Sequence, residues 1–216
     1  MIIIIQLEKI NKKIKNDNIL RDINLDLLEG NIYGFVGRNG CGKSMLFKTI
    51  AGFLVPTSGK VLFDNIDIYK NGVFAINTRV LIDSPYFISS LTAFENLKML
   101  ANINNLIDDE AILAILRKMN LYESKDIKVS KFSLGMIQKL GIAQALMEDP
   151  KVIILDEPFN SLDDESVEIV RNILLTEKKK NKIILLASHI KEDITSLCTT
   201  TFEMENGSIV KTSCSN

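Results

Sequence analysis

The segment Gly37 to Ser44, with the sequence GRNGCGKS, constrains the fold more than any other part of the chain. It matches the phosphate-loop pattern GxxxxGK[ST] and lies between an apolar run, Ile32 to Val36, and a helix-like run, Met45 to Ala51. A strand, a glycine-rich loop and a helix in this order direct backbone NH groups and the positive end of a helix towards one point, which suits phosphate oxygens. A chance glycine-rich turn is the alternative, but it does not explain the flanking patterns. We therefore predict that the chain binds a nucleoside triphosphate.

Phosphate loops give individual side chains distinct roles. The Lys43 ammonium is expected to reach the outer phosphates and to stabilise the charge that develops there during catalysis, and the Ser44 hydroxyl is expected to hold a magnesium ion. The predicted nucleotide-binding positions of this segment are Gly37, Arg38, Asn39, Gly40, Cys41, Gly42, Lys43, Ser44 and Met45.

The composition fits one compact domain in a reducing compartment. The chain has 216 residues, of which 46% are hydrophobic, and this is enough for one sizeable core. Its 26 basic and 27 acidic residues give a formal charge of -1, so there is no electrostatic case for nucleic acid or an anionic membrane as the main partner. Cys41, Cys198 and Cys214 are too scattered for a disulfide framework or a zinc site. The apolar start, Ile2 to Ile5, is too short to span a bilayer, so any membrane association is expected through a partner.

The hydrophobic pattern predicts an α/β fold with one helical insertion. The predicted strands are Ile3 to Leu7, Ile23 to Leu27, Ile32 to Val36, Val61 to Phe63, Val152 to Leu155 and Ile183 to Ala187. From Leu91 to Leu121 the apolar residues follow a helical period, and Glu165 to Leu175 predicts a helix between two fully apolar strands, which is a βαβ arrangement. The tail predicts a hairpin with the turn Asn206-Gly207. We expect a core of residues 1–83 and 131–216, with a helical subdomain at 84–130.

A second candidate site segment is Val152 to Pro158, with the sequence VIILDEP. A buried strand followed by two acids places them at the carboxyl edge of the sheet, where open α/β folds bind ligands. Asp156 is predicted to hold magnesium, and Glu157 to orient or deprotonate the attacking water, although an ordinary acidic turn is the alternative.

His189 follows the strand-like run Ile183 to Ser188, which we expect to neighbour the strand that ends in Asp156. A ring nitrogen of His189 can then donate a hydrogen bond to the γ-phosphate. The alternative is a histidine with a structural role or one that is simply solvated.

The segment Lys131 to Leu146, KFSLGMIQKLGIAQAL, predicts a helix with Ser133 as its N-cap. The amino end of this helix can bind an anion, and a capped core helix without a ligand is the alternative. With this segment the order of motifs resembles the ATP-binding cassette (ABC) family: a phosphate loop, a helical insertion, FSLGM in place of the LSGGQ signature, ILDEP, NSLD and a lone histidine after a strand. The resemblance covers nearly the whole chain. It implies an α/β fold with a P-loop NTPase (RecA-like) core, an antiparallel β subdomain and a helical insertion.

The resemblance also implies how the sites are completed. In that family two cassettes pair head to tail, and each ATP lies between the phosphate loop of one and the signature of the other. By resemblance, Ser133 and the NH of Gly135 contact the γ-phosphate bound by the partner, Asn160 to Asp163 crosses the dimer interface, and His189 is the switch histidine. ATP binding closes such a pair and hydrolysis with product release opens it. Integral membrane permease subunits would sense the closure through the helical insertion.

Three features, at four positions, depart from the usual family pattern. Leu134 and Met136 replace the usual signature residues, and Asp83 aligns with a glutamine that usually contacts the metal and the attacking water. Both features resemble the branch of bacitracin and lantibiotic resistance transporters. Ile14 aligns with the aromatic residue that usually stacks on adenine. Asp83 is thus a predicted metal ligand, and Ile14 is a predicted base contact.

The sequence therefore predicts a magnesium-dependent ATPase that serves as the nucleotide-binding subunit of an ABC exporter. We expect it at the cytoplasmic face of the membrane, held peripherally by permease subunits, as a homodimer or with a related cassette subunit. A soluble ABC ATPase that acts as an ATP-gated switch is the main alternative, but such proteins generally have a long coiled coil or tandem cassettes, and this sequence has neither. A P-loop kinase or GTPase is another alternative, and the sequence contains no guanine-specific motif.

Overall fold

The computed structural model describes residues 4–70, 72, 75, 77–190, 194 and 196–214. The strands are β1 (Ile4–Ile14), β2 (Asp17–Leu28), β3 (Asn31–Val36), β4 (Ser58–Phe63), β5 (Ile66–Asp67), β6 (Thr78–Leu81), β7 (Val152–Asp156), β8 (Ile183–Ser188), β9 (Thr200–Glu205) and β10 (Ser208–Cys214). The helices are α1 (Lys43–Ile50), α2 (Ala93–Asn104), α3 (Asp109–Lys118), α4 (Leu134–Leu146) and α5 (Asp164–Lys179). Short 3-10 turns lie at Tyr122–Ser124 and Val129–Lys131. Ile3, where the first predicted strand begins, lies outside the described residues.

A six-stranded sheet in the order β10, β9, β3, β8, β7, β6 forms the centre of the fold. Strands β9, β3, β8, β7 and β6 run parallel, and β10 pairs with β9 in an antiparallel hairpin. Every residue of β7 and β8 is buried, as their continuous apolar runs predicted. Leu155 lies opposite Leu81 and Leu186, and Ser188 lies opposite Val36. The carboxyl ends of β3, β6, β7 and β8 therefore meet at one edge of the sheet.

Strand β6 was not predicted from the sequence. Within it only Leu81 is buried. The reason is its position at the edge of the sheet, with β7 as its neighbour, which leaves it without the continuous apolar run of a central strand. The strand nevertheless determines where Asp83 lies, because the chain leaves the sheet just before that residue.

Strands β1, β2, β4 and β5 form a separate antiparallel sheet in the order β2, β1, β4, β5. In β2 the buried residues Ile23, Leu25 and Leu27 alternate with exposed ones, as expected for a sheet with one face on the core. The buried face shares a core with α1 and with one face of the central sheet. In that core the rings of Phe35 and Phe47 meet edge to face, with centroids 5.2 Å apart.

The segment between β6 and β7 is mainly helical, as predicted. A capping box formed by Thr92 and Glu95 begins α2, and Asp108 is the N-cap of α3. Ser133 caps α4 as predicted, since its Oγ accepts a hydrogen bond from the NH of Met136 at 3.2 Å. The apolar faces of these helices share a second core with the other face of the central sheet. None of the helices in the described residues is long and apolar enough to cross a membrane.

Candidate active site

Residues 37–42 form the phosphate loop between β3 and α1. Gly42 is the N-cap of α1 and has a φ of 113°, a conformation that residues with a side chain rarely adopt. Gly37 lies against the C-terminal hairpin, where a Cβ atom would lie 2.4 Å from the carbonyl oxygen of Met204. These glycines let the loop wind tightly in front of α1. The first NH groups of a helix have no partner within the helix, so this position attracts anions.

Lys43 lies beneath this loop, and its side chain is buried. Its Nζ donates a hydrogen bond to the carbonyl oxygen of Gly37 at 2.7 Å and lies 3.9 Å from Oε1 of Glu157. The ammonium is therefore positioned between the loop predicted to wrap the phosphates and the carboxylate predicted to act on water.

Ser44 and Asp156 connect α1 to the end of β7, because the Ser44 hydroxyl donates to Oδ2 of Asp156. Asp156 is buried, and this burial raises the pKa of its carboxyl against the lowering effect of the Ser44 hydrogen bond. A buried carboxylate favours a nearby cation. Hydroxyl and carboxylate oxygens beside a phosphate loop are the hard ligands that Mg²⁺ prefers. The residues present thus fit the predicted metal.

Glu157 follows β7 with a left-handed backbone, at a φ of 50°. Its NH donates to the carbonyl oxygen of Ala187 in β8 at 2.9 Å, and its own carbonyl accepts from the Gln138 side chain at 3.2 Å. With the backbone held in this way, Oε2 of Glu157 lies 2.9 Å from Nδ1 of His189. The structure thus brings together the acid and the histidine that the sequence placed after neighbouring strands. Gln138, which supports this turn, was not predicted.

Asp83 lies two residues beyond the end of β6, with a φ of 62°. Its Oδ2 lies 2.6 Å from Nζ of Lys48 in α1. Burial is the main cause of the raised pKa of Asp156, and the negative charge of Asp83 adds to it, so the two carboxylates are within electrostatic reach. Lys48 was not predicted from the sequence. Its position four residues after Ser44, on the same helix face, is the signal that could have found it.

A groove of about 750 Å³ opens in front of the loop, which is within the usual range for small-ligand sites. From α4, the residues that line it are Leu134, Ile137 and Gln138. Among the described residues, Ser133 and Gly135 do not belong to this lining. The start of α4 therefore reaches the groove of its own chain with residues other than the two predicted to contact phosphate.

Ile14, the predicted base contact, lies at the end of β1 and is 39% exposed. Among the described residues, Ile19 in β2 lines the groove and Ile14 does not. Ile19 was not predicted, because it precedes the predicted strand Ile23 to Leu27, whereas β2 begins at Asp17. The role of Ile14 stays a prediction.

The turn of the β9–β10 hairpin supports the phosphate loop from behind. The NH of Gly207 donates to the carbonyl oxygen of Cys41 at 2.9 Å, and the Gly207 carbonyl accepts from the NH of Arg21 at 2.8 Å. A Cβ atom on Gly207 would lie 2.3 Å from the carbonyl oxygen of Ile19. Because a side chain does not fit this close approach, the glycine of the predicted hairpin turn also helps to position the loop.

Comparisons with known proteins agree with this geometry. Residues 20–160 match the family model described as ABC transporter. The chain is 40% identical over 203 residues to YybJ of Bacillus subtilis (strain 168), an uncharacterized ABC transporter ATP-binding protein, and the match covers 94% of this chain and 93% of that protein. It is 33% identical to the bacitracin transport ATP-binding protein BcrA of Enterococcus faecalis, over 96% of this chain and 68% of that protein. It is 31% identical to the lantibiotic transport ATP-binding protein SrtF of Streptococcus pyogenes, over 89% of this chain and 83% of that protein.

Solved structures share the fold. The structure of an ATP binding subunit of an ABC transporter superposes with a TM-score of 0.89 at 24% identity, covering 98% of this chain and 90% of that one. The ADP conformation of MJ1267, an ATP-binding cassette of an ABC transporter, superposes with a TM-score of 0.82 at 26% identity, covering 99% and 91%. The first of these likenesses concerns the fold alone, because its sequence identity is low.

Proposed function

We propose that this chain, which belongs to the ABC transporter family, drives export of a peptide or lipid-like compound through membrane permease subunits. Family membership makes it an ATP-binding and ATP-hydrolysing subunit associated with transport. The observation that carries the mechanism is the convergence of Lys43, Asp156 and Glu157 on the phosphate loop.

Triphosphate binding uses backbone NH groups and the Lys43 ammonium. The loop and the start of α1 wrap the phosphates, and Lys43 exchanges its contacts with Gly37 and Glu157 for the outer phosphates. Ser44 and Asp156 would hold Mg²⁺, with Asp83 as a further ligand. When bound, the ion neutralises negative charge on the phosphate oxygens.

Hydrolysis uses Glu157 and His189. The Glu157 carboxylate accepts a hydrogen bond from the attacking water, orients it in line with the leaving ADP oxygen and takes its proton. His189 holds the direction of that carboxylate through its Nδ1, at 2.9 Å from Oε2. A protonated imidazole donates from both nitrogens, so Nε2 can also donate to a γ-phosphate oxygen. The products are ADP and phosphate.

The start of α4 would act on the nucleotide of a second cassette. Ser133 is exposed, and Leu134 next to it is 73% exposed. A Cβ atom at Gly135 would lie 2.7 Å from the carbonyl oxygen of Ser161, so a side chain does not fit there. Without a side chain, the NH of Gly135 can approach a phosphate. A head-to-tail pair, with an identical or a related cassette, would place this NH and the Ser133 hydroxyl on the γ-phosphate of the partner. Asn160 to Asp163 would cross the interface, and ATP would favour the closed pair.

The membrane partner would contact the helical subdomain, which we assign to residues 84–130. Tyr86 is 94% exposed, and Ile103 and Leu106 are 72% and 64% exposed, so large apolar side chains face solvent on this part of the chain. Tyr86 follows Asp83 closely in the chain, so a permease bound there would sense changes at the metal end of the site. Relatives named for bacitracin and lantibiotic transport support an antimicrobial peptide as cargo. We propose a peripheral position at the cytoplasmic face, held by these permease subunits.

The variant Glu157→Gln tests this mechanism, because it keeps the shape of the side chain and removes its charge. We expect ATP hydrolysis to fall by about 10²- to 10⁴-fold while ATP binding persists. ATP should then trap a closed dimer that size-exclusion chromatography detects, whereas the wild type returns to the open state through turnover. Wild-type turnover in the variant would assign water activation elsewhere, with Asp83 and His189 as the next candidates. Absence of an ATP-dependent dimer in either protein, with the permease restored, would contradict the pairing.

A further inference from the structure

An ion pair lies beside the predicted metal position, outside the groups that bind phosphate. Nζ of Lys48 lies 2.6 Å from Oδ2 of Asp83. Leu81 at the end of β6 lies opposite Leu155 of β7, and Asp156 directly follows Leu155. The carboxylates of Asp83 and Asp156 therefore belong to neighbouring strand ends at one edge of the sheet.

Helix α1 presents one polar face to these two acids. Ser44 and Lys48 are four residues apart and so lie one above the other on the helix. Ser44 donates to Asp156, and Lys48 donates to Asp83. One helix face therefore holds both carboxylates, the first with a hydroxyl and the second with an ammonium.

Folding stability does not account for this ion pair. The Asp83 side chain is 64% exposed and that of Lys48 is 33% exposed, and pairs this open to water add little to stability. The pair does fix the direction of the Asp83 carboxylate and neutralise its charge. Both effects bear on any cation bound beside it.

We propose that Lys48 is a positioning residue that sets the magnesium requirement of the enzyme by competing with the metal for Asp83. The inference rests on the proposed magnesium-dependent ATPase. Lys48 holds the Asp83 carboxylate by an ion pair at Oδ2, so a divalent ion bound by Ser44 and Asp156 would share this carboxylate with an ammonium whose positive charge opposes its own. A neutral amide at position 83 leaves no ion pair to weaken, so the effect of Lys48 through Asp83 should disappear.

The test is the affinity for Mn²⁺ as a spectroscopic substitute for Mg²⁺, measured by electron paramagnetic resonance at saturating ATP. The full chain carries Glu157→Gln so that no ATP is consumed. Lys48→Met keeps the length of the side chain and removes its charge, and we expect it to tighten Mn²⁺ binding about threefold, the size of an exposed ion pair. Lys48→Arg keeps the charge and should stay near the parent affinity. If Lys48→Met melts well below the parent, Lys48→Gln replaces it.

The Asp83→Asn background separates the two ways in which Lys48 can act. In that background Lys48→Met changes only the charge that acts on the metal through space. We therefore expect the fold-change in Mn²⁺ affinity to be less than about half of the fold-change seen with Asp83 present. Equal shifts in both backgrounds, no shift at all, or a Lys48→Arg variant that behaves like Lys48→Met would each overturn the inference. Loss of ATP-dependent Mn²⁺ binding in the parent protein would instead overturn the proposed function, so the two failures are distinguishable.

Discussion

Charged side chains gather at both ends of the central sheet, but they are paired to different degrees. At the amino end, the Lys182 ammonium is 2% exposed, lies 2.5 Å from Oδ1 of Asp149 and also contacts Glu177. At the carboxyl end, Lys43 and Glu157 are 3.9 Å apart. Backbone strain does not separate the two ends, since Asp149 has a φ of 50° and so does Glu157. The pairing of the buried lysines separates them, since the close pair of Lys48 and Asp83 at the carboxyl end is open to water.

The pKa shifts at the two ends have opposite directions. The hydrogen bond from Lys182 lowers the pKa of Asp149. Burial alone would raise the pKa of Glu177, but hydrogen bonds from Lys180 and Lys182 outweigh it and lower the pKa. At the carboxyl end, burial raises the pKa of Asp156. The amino end thus stabilises its own charges, whereas the carboxyl end favours an added cation. Similar residue types form a structural cluster at one end and a binding site at the other.

The largest expected effect on binding comes from Lys43→Ala at the carboxyl end. We expect ATP affinity to fall at least about a hundredfold, or roughly 2.7 kcal/mol, because the phosphates lose an ammonium partner. Thermal stability should change less, since the fold loses only the hydrogen bonds to the carbonyl oxygens of Gly37 and Arg38 and a 3.9 Å ion pair with Glu157. Nucleotide titration and thermal melting on the same samples check this, with Lys211→Ala on the exposed strand β10 as the control. Unchanged ATP affinity in a folded variant would show that this loop does not bind the triphosphate.

Lys182→Met at the amino end should have the opposite profile. Removing one partner of a buried ion pair costs about 3 to 5 kcal/mol, and we expect about 2 to 3 kcal/mol here because Lys180 still lies 2.8 Å from Glu177. The melting temperature should fall by roughly 5 to 10 °C, with ATP affinity unchanged. The control is Lys180→Met, whose half-exposed side chain contributes about 1 kcal/mol at most. A loss of ATP affinity in folded Lys182→Met would show that the charged cluster at the amino end also affects nucleotide binding, and would contradict independent roles for the two clusters.

The sequence was sufficient for local structure that depends on residue spacing. The phosphate loop, the Ser133 cap and the two acids at the end of β7 all lie in continuous segments, and the pattern within each segment is enough for the prediction. The residues that were missed depend on contacts between distant segments. Lys48 meets Asp83 across 35 residues of chain, and Ile19 joins the groove only because the β1–β2 hairpin packs beside the loop.

Other features were missed because their signal is weak or shared. Strand β6 lies at the sheet edge, where partial burial leaves little periodicity. Gly207 was expected for the hairpin turn that it forms, and the same pattern contains no sign of its contact with the carbonyl of Cys41. Gln138 lies in a helix, and nothing in its sequence position shows that it bonds to the backbone of Glu157. Packing of separate elements, rather than local preference, decides such contacts.

The smallest expected effect, and the most direct test of the contrast, is the melting of Asp156→Asn without nucleotide. The folded-state pKa of Asp156 lies above the ordinary value, so between those two values the folded state binds more protons and stability falls as pH rises. Above this range the penalty is present in full, so removing the charge should raise the melting temperature of Asp156→Asn relative to the wild type. The gain should vanish below about pH 4, where the unfolded carboxyl is also protonated.

Asp149→Asn is the matched control. Because the folded-state pKa of Asp149 is lowered, this variant should be less stable than the wild type at neutral pH, and the difference should shrink as pH falls. Magnesium with ATP should stabilise the wild type more than Asp156→Asn, because the variant keeps the phosphate contacts and loses one metal ligand. If both variants melt below the wild type at neutral pH, the carboxylate at the carboxyl end is as well paired as that at the amino end, and the contrast between the two ends is wrong.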